Sequence, residues 1–312
     1  MMKWTTNDIP DLTGRLTVVT GTGGIGFETA LALCRAGADV ILAGRNPAKG
    51  SGSVERIRDA EPHARVRFEQ LDLASLASVA AFGDRMRREL DRIDVLVNNA
   101  GVMTPPDRRE TRDGFELQLG TNYLGHFALT AHLLPLLRGC SSARVVSVSS
   151  IAARAGTIDF EDLNAERVYK PMTAYSQSKL ACLLFAIELQ RRSRNEGWGI
   201  TSVAAHPGVS RTDLLPNSAG RWDVARLVRT WLPILFQPAA QGALPILYAA
   251  TSPAAAGGGY FGPDRLSETR GYPVRARLPA QAADTEAASR LWVGSERLTG
   301  VRFGDGGQWG TG

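Results

Sequence analysis

The chain has 312 residues, 44% hydrophobic, enough apolar material for a large core within one α/β domain. Its net charge of +5 comes almost wholly from arginines scattered among acids, which speaks against a nucleic-acid-binding face. Cys34, Cys140 and Cys182 are widely spaced with no CxxC, so a disulfide framework and a metal site are not expected, and a reducing cytoplasm is the natural setting. The N-terminus has no apolar core of signal-peptide length, and no stretch reaches the ~18 apolar residues of a spanning helix, so a soluble protein is expected.

In chain order, residues 16–20 form a short apolar run suited to a buried parallel strand, followed at once by Gly21-Thr22-Gly23-Gly24-Ile25-Gly26 and then by helix formers to residue 36. Strand, glycine turn and helix together place a pyrophosphate against bare backbone at the positive end of a helix. Alternation continues with a strand at 39–43, a helix at 47–60, a strand at 65–71, a helix at 75–90 and a strand at 93–97. Such alternation predicts a single-domain, Rossmann-type doubly wound parallel sheet with helices on both faces.

The second strand ends in Ala43-Gly44-Arg45-Asn46, where a grip on the free 2′-hydroxyl of NAD would need a carboxylate. An arginine pairs instead with a 2′-phosphate, which favours NADP(H), with NAD(H) as the alternative; the plain reading of Arg45 is a loop residue. Asp72, followed by Leu73, has two readings, acceptor for an adenine amino group or helix cap, the latter shared with Ser75. Asn98-Asn99-Ala100-Gly101 closes the fourth strand, where amides fix a turn or meet the cofactor. Asn122 lies among apolar neighbours in the next helix and needs a buried partner there. His126 and His132 read as packing residues rather than catalysts.

A fifth strand at 144–150 ends in hydroxyls, and a 24-residue polar spacer separates Ser150 from Tyr175. In the helix at 173–195, Tyr175 and Lys179 stand four apart on one face, close enough for the ammonium to favour the phenolate. That makes Tyr175 a candidate proton donor. None of the other five tyrosines has lysine at the fourth position after it. A strand at 200–205 then leads into His206-Pro207-Gly208-Val209-Ser210-Arg211-Thr212.

Taken together, the glycine turn, Asn98-Asn99-Ala100-Gly101, Asn122, Ser150, Tyr175-x-x-x-Lys179 and Pro207-Gly208-x-x-x-Thr212 resemble the short-chain dehydrogenase/reductase family, over about residues 11–303. Within it the chain looks most like the retinol-dehydrogenase and bacterial oxidoreductase branch, on Ala43-Gly44-Arg45-Asn46, residues 121–127, the long spacer and His206-Pro207-Gly208-Val209. One departure is a glycine turn one residue shorter than the family's, which leaves open which amides touch the phosphates and makes Arg45 the main specificity residue. The resemblance implies Asn122, Ser150, Tyr175 and Lys179 as the catalytic set. Tyr175 would exchange the proton, Lys179 assist it and bind the nicotinamide ribose, Ser150 polarise the carbonyl, and Asn122 hold a water near Lys179. Cofactor contacts would come from Gly21, Gly23, Gly24, Ile25, Gly26, Arg45, Asp72, Leu73, Asn99, Ala100, Gly101, Tyr175 and Lys179, with Pro207, Gly208, Val209 and Thr212 facing the nicotinamide.

The expected function is NADP-dependent hydride transfer between nicotinamide and a carbonyl or alcohol of a lipophilic small molecule. Alternatives are a carbon–carbon double-bond reductase or epimerase, and a non-catalytic NADP sensor. A substrate lid is expected around 213–237 and a C-terminal extension around 263–312. The apolar stretch 222–236, with interspersed arginines, has three readings: lid, core helix or membrane-surface segment. Homodimer and monomer both stay open.

Overall fold

The computed structural model describes residues 3–209 and 237–304. Strands β1 (Leu16–Thr20), β2 (Asp39–Gly44), β3 (Val66–Gln70), β4 (Val95–Asn98), β5 (Arg144–Val148), β6 (Thr201–Ala205), β7 (Tyr260–Arg265) and β8 (Arg270–Arg275) form one sheet in the order β3-β2-β1-β4-β5-β6-β7-β8. All described pairings are parallel except β7 with β8. Around the sheet lie helices α1 (Gly24–Arg35), α2 (Pro47–Ala60), α3 (Leu76–Glu89), α4 (Gly125–Arg138), α5 (Pro171–Asn195), α6 (Ala239–Thr251) and α7 (Thr285–Thr299).

The two-residue period of each strand sorts its side chains into two cores. Val18, Ile41, Leu96 and Val145 join the cluster under α3, α4, α5 and α7. Their neighbours Val19, Val40, Leu42, Val97 and Val146 join the cluster under α1, α2 and α6. Both faces are therefore apolar, as a parallel sheet covered on two sides requires. Aromatic rings close the first core: Trp292 of α7 packs against Phe127 of α4 (centroids 5.1 Å) and Phe185 of α5 (5.7 Å), with Phe303 against all three.

Two local features depart from the sequence reading. Strand β5 stops at Val148 rather than at 150, because Ser150 turns to cap a 3₁₀ turn, Ile151–Ala155. The helix expected through Asn122 begins as a π-helical turn, Leu119–Leu124, before α4. The expected extension from 263 contains the end of β7, all of β8, and α7, joined to the same sheet and core.

Strand order reverses between β1 and β4, and the crevice outside their carboxyl ends is where a doubly wound sheet takes its ligand. Among the described residues, no helix is long and apolar enough to cross a membrane.

Candidate active site

The floor of this crevice is residues 21–26. Gly21 has φ 95°, and a Cβ on Gly26 would meet the Gly21 carbonyl oxygen and Asn99 Nδ2, so the turn closes only with glycine at both positions. Gly23 is the N-cap of α1 and supplies no side-chain cap. The first amides of α1 therefore meet the cleft uncapped, which fits a pyrophosphate. Asn99 ties the turn down: its Nδ2 donates to Thr20 O (2.7 Å), and the Asn99 and Ala100 amides donate to the Thr20 hydroxyl.

From the glycine turn one arm of the cleft runs past Gly44, Arg45, Asn46, Lys49, Asp72, Leu73, Ala100 and Gly101. Arg45 is exposed at its edge, and Asn46 caps α2 by accepting the Lys49 amide (3.1 Å). Ser75 caps α3 by accepting the Ser78 amide. Asp72 has one oxygen on the Ala74 amide (3.1 Å), so it both fixes this turn and faces the cleft. Lys49 and Thr22 line both arms but were not singled out from the sequence. Lys49 carried a legible signal, since the chain has only four lysines and this one follows Asn46-Pro47 at a helix start.

The other arm is lined by the glycine turn together with Val148, Ser149, Tyr175, Lys179 and Pro207. Helix α5 presents Tyr175 and Lys179 one turn apart. Lys179 Nζ donates to Val148 O (3.0 Å) and lies 5.9 Å from the Tyr175 ring centroid. An ammonium has three N–H donors, so two remain for a ligand. Ser149 donates to Lys179 O (2.7 Å), a brace invisible in the sequence. Ser150 is half-buried, and its Oγ accepts the Ala152 amide (3.2 Å). That cap uses a lone pair and leaves the hydroxyl proton to donate. Ser149 lines the arm of the cleft beside Tyr175, and Ser150 follows it at the head of the 3₁₀ turn.

Asn122 is 1% exposed, and protein groups occupy its polar atoms. Its Oδ1 accepts the Val102 amide (2.8 Å), while Nδ2 donates to Val102 O and Ser178 Oγ (both 3.0 Å). Its carbonyl accepts from His126 Nδ1 (2.9 Å) and Cys182 Sγ (3.2 Å). This geometry fastens the loop after Gly101 to α5. The partner that the sequence demanded for a buried asparagine is thus the Val102 backbone. Burial pushes His126 down to about 4, so the ring is neutral. The Asn122 carbonyl can only accept, which places the proton on Nδ1 and leaves Nε2 facing the Thr20 hydroxyl at 2.9 Å. His126 is a satisfied core histidine.

Pro207 lines the cleft, and Gly208 has φ 68°, where a Cβ would meet Thr269 O. Val209 donates its amide to Thr269 O (2.7 Å). Thr212 and most of the expected lid, including Trp231, lie outside the described residues. Among the described residues no cluster of His, Cys, Asp or Glu is arranged to hold a metal ion.

The family model for short chain dehydrogenase matches residues 15–221. The chain is 41% identical to a polyprenol dehydrogenase of Mus musculus over 304 residues, covering 95% of this chain and 87% of that protein. It is also 41% identical to retinol dehydrogenase 13 of Homo sapiens over 294 residues, covering 92% and 85%. A crystal structure of an uncharacterized protein from Mycobacterium paratuberculosis superposes with a TM-score of 0.81 at 39% identity, over 97% of this chain and 100% of that one.

Proposed function

Because the chain belongs to the short-chain dehydrogenase family, whose members are NAD(P)-dependent oxidoreductases of alcohol and carbonyl groups, we propose that it is an NADP-preferring dehydrogenase or reductase of a lipophilic alcohol or carbonyl. The observation that carries this reading is one continuous cleft, which runs from the glycine turn and the uncapped start of α1 to Tyr175 and Lys179. A nicotinamide cofactor bound along it supplies or accepts the hydride. Tyr175 passes the proton to or from the substrate oxygen. Lys179, held by Val148 O, directs its remaining donors toward Tyr175 and the ribose side of the cleft. Ser150 donates its hydroxyl proton to the same substrate oxygen, polarising it from a fixed cap position. Asn122 acts by holding the Val102 loop against α5.

NADP preference is supported by Arg45 and Lys49, cations at the open edge of the Gly44 arm with no carboxylate at position 44. A lipophilic substrate is supported by the relatives' names, since polyprenol and retinol are both apolar alcohols. The test is a panel of lipophilic aldehydes, ketones and alcohols of graded size, read by NADPH and NADH absorbance. Turnover with NADPH exceeding that with NADH, and rising with apolar chain length, is the expected result. Preference for NADH, or for small polar substrates, would overturn the reading.

A further inference from the structure

The turn between β7 and β8 lies under the Pro207 loop and has no part in the reaction as described so far. Its residues Leu266, Ser267 and Glu268 have φ of 47°, 55° and 68°, and none is a glycine. Three successive left-handed residues persist only where the surroundings over-determine them, and such strain gathers at sites that handle ligands. What holds them here is a cluster centred on the Glu268 carboxylate. One oxygen lies 2.9 Å from His206 Nε2 and 2.6 Å from Arg154, and the other accepts the Arg277 amide (2.9 Å).

Both charged or polar partners lead into the cleft. His206 immediately precedes Pro207, and Arg154 belongs to the 3₁₀ turn capped by Ser150. Arg154 also donates to Ser267 O (3.1 Å), and the Tyr260 hydroxyl reaches Ser150 O (3.3 Å). On the loop side, Gln237 donates to Pro207 O (2.5 Å) and accepts the Gly271 amide (3.1 Å). We propose that Glu268 is a positioning residue for the reaction: through His206 and Arg154 it sets the loop of residues 207–209 against the turn headed by Ser150. The proposal rests on the reading of that loop as the nicotinamide contact.

The hydrogen-bond directions are fixed. His206 is fully buried, which holds it below its ordinary range against the opposing pull of Glu268, so the ring is neutral. Its Nδ1 accepts the Gly208 amide (3.3 Å), so the proton sits on Nε2 and is donated to Glu268. Burial alone would push Glu268 up, but the bonds from His206 and Arg277 and the charge of Arg154 together hold it below its ordinary range, so it stays ionised. Every group facing the carboxylate is therefore a donor. A glutamine of the same shape would turn its NH₂ against a donor in either orientation, so Glu268→Gln releases one arm of the clamp without opening a cavity.

The experiment compares the full-length wild type with Glu268→Gln for NADPH binding by nicotinamide fluorescence, ADP binding by calorimetry, turnover, and melting temperature. ADP fills only the adenine half of a dinucleotide site and therefore reports on the arm that Glu268 does not touch. Losing one charge-assisted bond should weaken NADPH binding roughly tenfold or more while ADP binding changes less than twofold. Turnover should fall at least as far, with the melting temperature nearly constant. An unchanged NADPH-to-ADP ratio would overturn the proposal, as would NADPH binding, ADP binding and melting temperature all falling together. If Glu268→Gln does not fold, Arg154→Ala breaks the half-exposed arm alone; the same selective loss of NADPH binding is then expected, and no loss overturns the clamp. Binding separates this inference from the functional one. A wild type that binds NADPH but turns over no carbonyl or alcohol would sink the function, whereas an unmoved ratio in the variants sinks the clamp.

Discussion

Around Arg45 the cleft is walled by bare backbone and exposed cations, whereas around Tyr175 it is walled by buried groups that are hydrogen-bonded to one another. Arg45 and Lys49 are exposed, so their side chains can change with little effect on stability. Asn122, Ser149, Tyr175 and Lys179 are each under 10% exposed, and three of them exchange hydrogen bonds with the backbone of β5, α5 or the Val102 loop. The difference teaches where selectivity and chemistry are stored. On the function proposed above, cofactor choice would sit on an adjustable rim and proton transfer in an interlocked interior.

The sharpest way to break this division is Tyr175→Phe, which removes the proton and keeps the ring. Turnover should fall by ~10²–10⁴-fold with NADPH affinity within a few-fold of wild type, measured by single-turnover kinetics and fluorescence titration. Retention of more than a tenth of wild-type turnover would take the proton-transfer role from Tyr175. On the rim, Arg45→Ala should weaken NADPH binding by roughly ten- to a hundredfold and leave NADH binding and melting temperature nearly unchanged. Gly44→Asp should move selectivity further toward NADH, with Thr22 shifting to admit the new side chain. An equal loss for both cofactors would make Arg45 a loop support.

A third prediction probes the interior. Asn122→Ala leaves the Val102 amide and carbonyl without their side-chain partner, so unfolding in urea should need about 1–3 kcal/mol less. A midpoint equal to wild type would show that the loop is held by other contacts. Acid should act in the same direction. His126 and His132 are both pushed down to about 4, chiefly by burial, so they stay neutral in the fold while the unfolded chain takes up protons below about 6.5. Stability therefore declines as pH falls from about 6.5 toward 4, and the melting temperature at pH 5 should lie below that at pH 7. Equal values would mean that these rings are protonated in place. The smallest expected effect is on the rim: Lys49→Ala should weaken NADPH by roughly two- to fivefold, because an exposed point-charge pair is worth only ~0.2–1 kcal/mol, whereas the Arg45 fork can pair bidentately. A larger loss than that of Arg45→Ala would move the centre of phosphate recognition onto α2.

The same contrast explains what the sequence could convey. The glycine turn, Arg45 and the alternation of strands and helices are local patterns, and β1, β2 and α2 fall where their residues predict. Tyr175 and Lys179 were legible because one helix turn joins them. Ser149 and the Glu268 cluster were not, since their partners lie 30 and 62 positions away along the chain. Strands β7 and β8 carry Pro263 and Pro273, which argue against a sheet unless the strand is short or at an edge. The π-helical turn at Asn122 also has no local signature, because the helical pattern runs through it unbroken.

Trp292 and Phe303 follow their packing partner Phe127 by more than 160 positions, which has a consequence for synthesis. A ribosome adds ~5–20 residues per second, so the aromatic face of α4 and α5 waits on the order of ten seconds for α7 to be made. Through that interval the nascent chain presents Phe127 and Phe185 to solvent and to chaperones. A polypeptide cut short before Thr285 keeps that face uncovered permanently and should be recovered as aggregate or as a chaperone-bound species.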